Sequence, residues 1–175
     1  MWRRRLQASS GVSVRGNNVE LNYWRLTAQD QSDIGEVYKI LKQCGEDMYC
    51  RKGLVHWKEP YPREAIVRDC AERDVYLVLD GKAAVGTFQV EIFQEGVMLH
   101  KFAVHPERAG QGIGRQMIRE IVKLYGDKRC IECDVYDKSL DAIRFYEKNG
   151  FQIVGEKPTR RFRVYRMRRM EARDE

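Results

Sequence analysis

The sequence has no apolar run near the ~20 residues needed to cross a bilayer, so no spanning helix and no membrane partner are expected. Its N-terminus lacks the apolar central stretch of a secretory signal. Histidine is scarce, at three, and neither paired histidines nor a second CxxC accompanies Cys130 and Cys133, so no metal site is expected. The five cysteines (Cys44, Cys50, Cys70, Cys130, Cys133) are odd in number and follow no disulfide-framework spacing. They point to a reducing compartment, read here as the cytoplasm. Acidic residues are absent from residues 1–18, which hold four arginines. That composition describes a disordered basic leader, and it is also the composition of a mitochondrial transit peptide.

What remains suits one globular domain: 175 residues, 43% hydrophobic and 33% charged. The net charge of +6 sits at the ends, since residues 1–18 and 156–175 each carry +4 and the middle carries −2. Residues 1–18 read as the leader, 19–170 as a single domain and 171–175 as a tail. Val19–Leu26 is strand-like. A helical stripe follows at Ile34, Val37, Tyr38, Leu41, Cys44 and Met48, with Thr27 and Asp30 as a capping-box variant. Pro62 opens a second helix. Two β-rich runs meet at Asp80-Gly81, a dipeptide suited to a type I′ turn, and Val97–Val104 is a further strand. An amphipathic helix, the strand "CIECDVY", a helix with Leu140, Ile143 and Tyr146 inward and Gly150 as its stop, and two closing strands complete the chain. The last alternates charged and apolar residues, with a phase slip at Val164-Tyr165 that suggests a bulge. The order β-α-α-β-β-β-α-β-α-β-β describes an α/β fold, a mixed sheet with helices on both faces.

The stretch "VHPERAGQGIGRQM" places three glycines in five residues between a strand and a helix. A Walker A loop needs a lysine and a hydroxyl after its last glycine, whereas Gly114 is followed by Arg115-Gln116. A dinucleotide fingerprint needs a third glycine where Arg115 or Met117 stands, although Asp134 falls where its ribose-binding acid would lie. A third pattern ends in G-x-G at a helix start. There, glycines let main-chain N–H groups approach an anion without Cβ interference, and the helix adds its positive dipole end. Arg108, Arg115 and Arg119 cluster around it, and a pyrophosphate fits such a site.

"FAVHPERAGQGIGRQMI" followed by "DVYDKSLDAIRFYEKNGFQIVGE" resembles the GCN5-related N-acetyltransferase (GNAT) superfamily, over about Val19 to Met167. The resemblance implies a mostly antiparallel central sheet of about six to seven strands flanked by helices. It also implies acetyl-CoA (coenzyme A) as acyl donor, with no metal. Its phosphate loop falls on Ala109, Gly110, Gln111, Gly112, Ile113 and Gly114. Ala109 stands where relatives carry arginine or glutamine, Arg108 lies one residue early, and Arg115 and Arg119 are candidates for the nucleotide phosphates. The pantetheine arm would lie along Phe102, Ala103 and Val104, one of whose N–H groups polarises the thioester carbonyl. Tyr146, four residues after Ala142, would protonate the departing thiolate, and Ser139 replaces an asparagine that touches the arm.

The base is less plain. Relatives often carry a glutamate on the strand before the loop, and "VMLHKFAV" has none. His100 and Glu91 are the candidates, beside the case of no dedicated base at all. Trp57, Glu59 and Tyr61 in "HWKEPYP" would suit a cationic amine through cation–π and ionic contacts; the same aromatics would serve as packing anchors. The expected function is acetyl transfer from acetyl-CoA to a primary amine, small-molecule or peptide. The alternatives are a non-catalytic acyl-CoA-binding protein and nucleic-acid binding through the arginine-rich termini. The alternation of "RRFRVYRMRR" favours a solvated sheet edge over a nucleic-acid surface. A homodimer is left open.

Overall fold

Seven stretches rich in β-branched and aromatic residues pair into one sheet. Their chain positions are β1 (Leu21–Arg25), β2 (Asp74–Asp80), β3 (Ala83–Phe93), β4 (Gly96–Val104), β5 (Cys130–Tyr136), β6 (Phe151–Pro158) and β7 (Arg163–Arg169), and the sheet order is β1-β2-β3-β4-β5-β7-β6. The computed structural model describes residues 19–126 and 130–170. The leader 1–18 and the tail 171–175 read from the sequence lie outside the described residues.

Each strand pair is antiparallel except β4 with β5. The period-two alternation of β2 shows how the layers form. Val75 and Leu77 face the group made by α1 (Gln31–Lys52) and α2 (Arg63–Glu72), with Ile34, Val37, Leu41 and Ile66. Tyr76 and Val78 face the opposite group, with Phe88, Leu99, Ile113, Met117, Ile121, Ile143 and Tyr146 from α3 (Ile113–Tyr125), α4 (Leu140–Lys148) and the sheet. The fold is the mixed, mostly antiparallel α/β sheet with helices on both faces that the element order implies.

Two irregularities in β4 make room for a site. On the β3 side the register jumps from Gln89↔His100 to Thr87↔Ala103, so Lys101 and Phe102 together oppose Phe88. Lys101 takes φ +48°, the left-handed region rare for a side chain of this kind. On the β5 side the parallel pairing stops at Leu99↔Cys133. From His100 to Val104 the outer edge of β4 therefore has no β5 partner, and the two strands diverge.

Several local expectations are corrected. Asp30, not Thr27, occupies the N-cap of α1, and its carboxylate accepts from the Thr27 N–H and hydroxyl, both at 2.8 Å. The β2–β3 turn residues are Gly81 and Lys82, and only Gly81 has positive φ, which excludes type I′. Leu140 is exposed, because it begins α4 at the open end of the sheet rather than over it. The bulge near the C-terminus lies on β6, between Ile153 and Gly155, while Val164 and Tyr165 keep regular register with β5. Finally, β7 is no edge: it runs between β5 and β6. Its Arg166 and Arg168, two of the strand's four arginines, pair across the sheet with Glu132 and Asp134 inside the fold.

Candidate active site

Where β4 and β5 diverge, a cavity of about 720 Å³ opens, walled by the second half of α1, the segment around Trp57, and the start of α4. His100, Phe102, Ala103, Val104, Ala109, Ser139, Ala142 and Tyr146 line it. These eight residues singled out from the sequence thus meet at one cavity.

Next to Ala109 on the wall stands the glycine loop, whose residues 110–115 are themselves outside the lining. The N–H groups of residues 110–115 have no hydrogen-bond partner among the described residues; the first helical bond of α3 is from Gln116 to the Gly112 carbonyl, 3.1 Å. Gly110 and Gly112 both have φ +78° with open space where a Cβ would stand, so their role is conformational. Gly114 differs: a Cβ there would meet the Phe145 ring at 3.1 Å, so it lets α3 approach α4. Six unsatisfied donors at a helix N-terminus form a site for an anion. Arg108 does not point there as a spare cation. It bonds Asp80 at 2.5 Å and Gln111 Oε1 at 2.8 Å, bracing the loop against β2. Arg115 and Arg119 are exposed on the first turns of α3.

The middle of the cavity holds Ser139 and Tyr146. Ser139 is 6% exposed and its hydroxyl, on the cavity wall, has no partner among the described residues. The Tyr146 ring packs against Phe102, Phe145 and Phe151 at centroid distances of 5.9, 5.3 and 5.1 Å, and its hydroxyl meets the Cys133 thiol. Burial, with Cys133 adding to it, raises the phenol well above 10, so the group stays protonated and can donate.

The α1–α2 side supplies a polar cluster. His100 Nε2 and Glu91 Oε2 lie 2.7 Å apart, and Arg73 Nε is 3.5 Å from the same carboxylate. Of the two base candidates only His100 lines the cavity; Glu91 holds it from behind. Burial and then Arg73 push the imidazole pKa down, against the hydrogen bond and charge of Glu91, so the ring is neutral at neutral pH. Trp57 lines the cavity, while the Tyr61 hydroxyl is turned to Asp69 at 2.9 Å and Glu59 is exposed outside the lining. No group of three or more metal-ligating side chains occurs among the described residues, and none of their helices is long and apolar enough to cross a membrane.

Two further polar residues of the lining escaped the sequence reading. His56 lines the cavity beside Tyr136 (4.5 Å between rings), with a buried Nδ1 that has no partner among the described residues. Lys101 lines it too, and its ammonium lies 4.0 Å from the Tyr61 centroid and 5.7 Å from that of Trp57. The available signal for His56 was a titratable residue in an aromatic loop. Lys101 had none, because its direction comes from the bulge.

Residues 71–153 match the family model described as an acetyltransferase (GNAT) domain. Over these residues, just under half of the chain, the protein is similar to GNAT-superfamily acetyltransferases. The matched GNAT segment runs from the end of α2 to β6 and so includes the bulged strand, the glycine loop and α4. Among curated proteins, the spermine/spermidine N(1)-acetyltransferase of Bacillus subtilis (strain 168) is 33% identical over 64 residues, 34% of this chain and 41% of that protein. The probable spermine N(1)-acetyltransferase of Bacillus subtilis subsp. natto matches to the same extent. The chain thus spans about two fifths of the length of the curated relatives it matches. An acetyltransferase from Thermus thermophilus shares the fold with a TM-score of 0.68 at 20% identity, over 85% of this chain and 96% of that one. The PaiA N-acetyltransferase of Thermoplasma acidophilum, solved in complex with coenzyme A, does so at 0.70 and 14%, over 85% and 98%.

Proposed function

We propose that the protein transfers an acetyl group from acetyl-CoA to a primary amine by direct attack. The observation that carries this reading is the run of six N–H groups at residues 110–115 without a partner among the described residues, beside Ala109, which lines the cleft where β4 has lost its neighbour. These donors would hold the pyrophosphate. The free edge of β4 at Phe102, Ala103 and Val104 would receive the pantetheine arm as an added strand, with the orphaned Ser139 hydroxyl as a further contact. Acetyl-CoA supplies an activated acetyl thioester.

The protein's own groups divide the proton work. His100, neutral and steadied by Glu91, takes the proton of the incoming amine, a contribution typically worth about 10²–10⁴ in rate. An N–H on the free side of β4 polarises the thioester carbonyl. Tyr146 gives its hydroxyl proton to the departing thiolate and recovers it from solvent.

Calorimetric titration of the full chain with acetyl-CoA, followed by turnover with an amine panel, tests the reading. Saturable binding and release of coenzyme A thiol are expected. No saturation up to about 1 mM, a threshold of only ~4 kcal/mol of binding free energy, overturns it.

A further inference from the structure

We propose that Lys101 fills the aromatic site between Trp57 and Tyr61 with the protein's own cation, and that the acceptor is therefore a small amine bearing a carboxylate rather than a polycation. The inference rests on the acetyltransferase reading and specifies its second substrate.

Two aromatic rings, Trp57 in the cavity wall and Tyr61 behind it, would ordinarily welcome a substrate ammonium. Here the place is taken. The bulge turns the side chain of Lys101 toward the α1–α2 side, next to His100, and sets the ammonium 4.0 Å from the Tyr61 ring centre. No carboxylate lies within ion-pair distance of it among the described residues. Asp69, the acid it feels most, already accepts from the Tyr61 hydroxyl (2.9 Å) and Gln89 Nε2 (2.8 Å) and faces Arg73 at 3.6 Å. Lys101 is thus a cation without an anion on the cavity wall.

The rest of the wall agrees. The lining carboxylates Asp47, Asp134 and Asp141 are each engaged, with Arg51, Arg166 and Lys52. None of these three is left for the second ammonium of a polyamine, and Asp137, whose Oδ1 has no partner among the described residues, stands outside the lining. His56, whose Nδ1 has no partner among the described residues, offers a further polar contact on the same side. A carboxylate would complete the site; a second cation would meet Lys101 in a partly desolvated space, where like charges repel strongly.

The test uses the full chain with saturating acetyl-CoA. Aspartate, methionine and phenylalanine are each compared with their α-carboxamides and with spermidine, by thiol release and by calorimetric binding to the coenzyme A complex. A charge-assisted contact predicts about tenfold or greater preference for the carboxylates. Lys101→Met should erase that preference and improve spermidine, whereas Lys101→Arg should keep it; acetyl-CoA binding by both variants should match wild type. Preference for spermidine in the wild-type protein overturns the inference, as does an equal loss of all acceptors in Lys101→Met. So does failure of every carboxylate-bearing amine to bind or react while coenzyme A binds. Failure of acetyl-CoA itself to bind is a different result and sinks the acetyltransferase reading.

Discussion

The imidazole of His100 and the carboxylate of Glu91 share a hydrogen bond of 2.7 Å across neighbouring strands, at the point where β4 begins to leave the sheet. Glu91 raises the imidazole pKa, while burial, Arg73 and Lys101 lower it further, and the net is a fall below the ordinary value of about 6.5. A base works only when unprotonated, so the acid limb of kcat/KM should lie below that value. Glu91→Gln removes the raising influence and should move the limb to still lower pH. His100→Gln should abolish the limb and lower kcat/KM by about 10²–10⁴. A pH profile of the three proteins decides; an unmoved limb in Glu91→Gln rejects His100 as the titrating group.

Tyr146→Phe separates chemistry from packing. The ring contacts with Phe102, Phe145 and Phe151 survive the change, and only the hydroxyl and its contact with Cys133 are lost. Stability should fall by no more than about 1 kcal/mol, the net worth of one hydrogen bond. The turnover number should drop while acetyl-CoA affinity holds. Equal kcat in the two proteins would show that the leaving thiolate needs no proton from this residue.

Residues whose role is local were legible in the sequence. Gly110 and Gly112 announce themselves because positive φ suits few other residues, and the stripe of α1 follows from its period. Residues defined by long-range partners were not. Lys101 carries no propensity for φ +48°; its conformation follows from the extra residue that β4 fits against Phe88. The pairing of His100 with Glu91 needs the β3–β4 register, which neither strand encodes alone. The arginines of β7 look like a solvated edge until β6 folds back outside them and Glu132 appears beneath. Gly114 reads as an anion-loop glycine, and its lack of a side chain also makes room for Phe145 on the next helix, α4, which no local pattern announces.

The two glycine roles predict two phenotypes. Gly112→Ala meets no steric obstacle but places a Cβ in the left-handed region, at about 1–2 kcal/mol. If the loop relaxes to avoid that strain, its N–H groups lose their common aim, and acetyl-CoA affinity should fall by about tenfold or more. Gly114→Val instead drives methyl groups into Phe145 and should lower the melting temperature of the free protein. Calorimetry and thermal melts, run on both variants, should show the effects exchanged between them. Identical behaviour would mean the loop acts as a single packing element.

The last test concerns what holds β5 in place beneath the cavity. Glu132 is 5% exposed and lies between two guanidiniums, 3.0 Å from Arg166 and 2.6 Å from Arg168. Arg166 has a second partner in Asp134, whereas Arg168 has no other ion pair among the described residues. Glu132→Gln turns an amide N–H₂ toward donors on at least one side, and the buried site cannot supply an acceptor in exchange. The arginines are partly solvated, which screens the loss, so a cost of about 1–3 kcal/mol is expected rather than that of a fully buried pair. Arg168→Gln should cost less than about 1 kcal/mol, since Glu132 keeps Arg166. In a chain of this size each kcal/mol moves the melting temperature by about 2–4 °C, so denaturant and thermal unfolding resolve the two. Should Arg168→Gln prove the more damaging, the strand is held by that rim contact and not by the buried carboxylate.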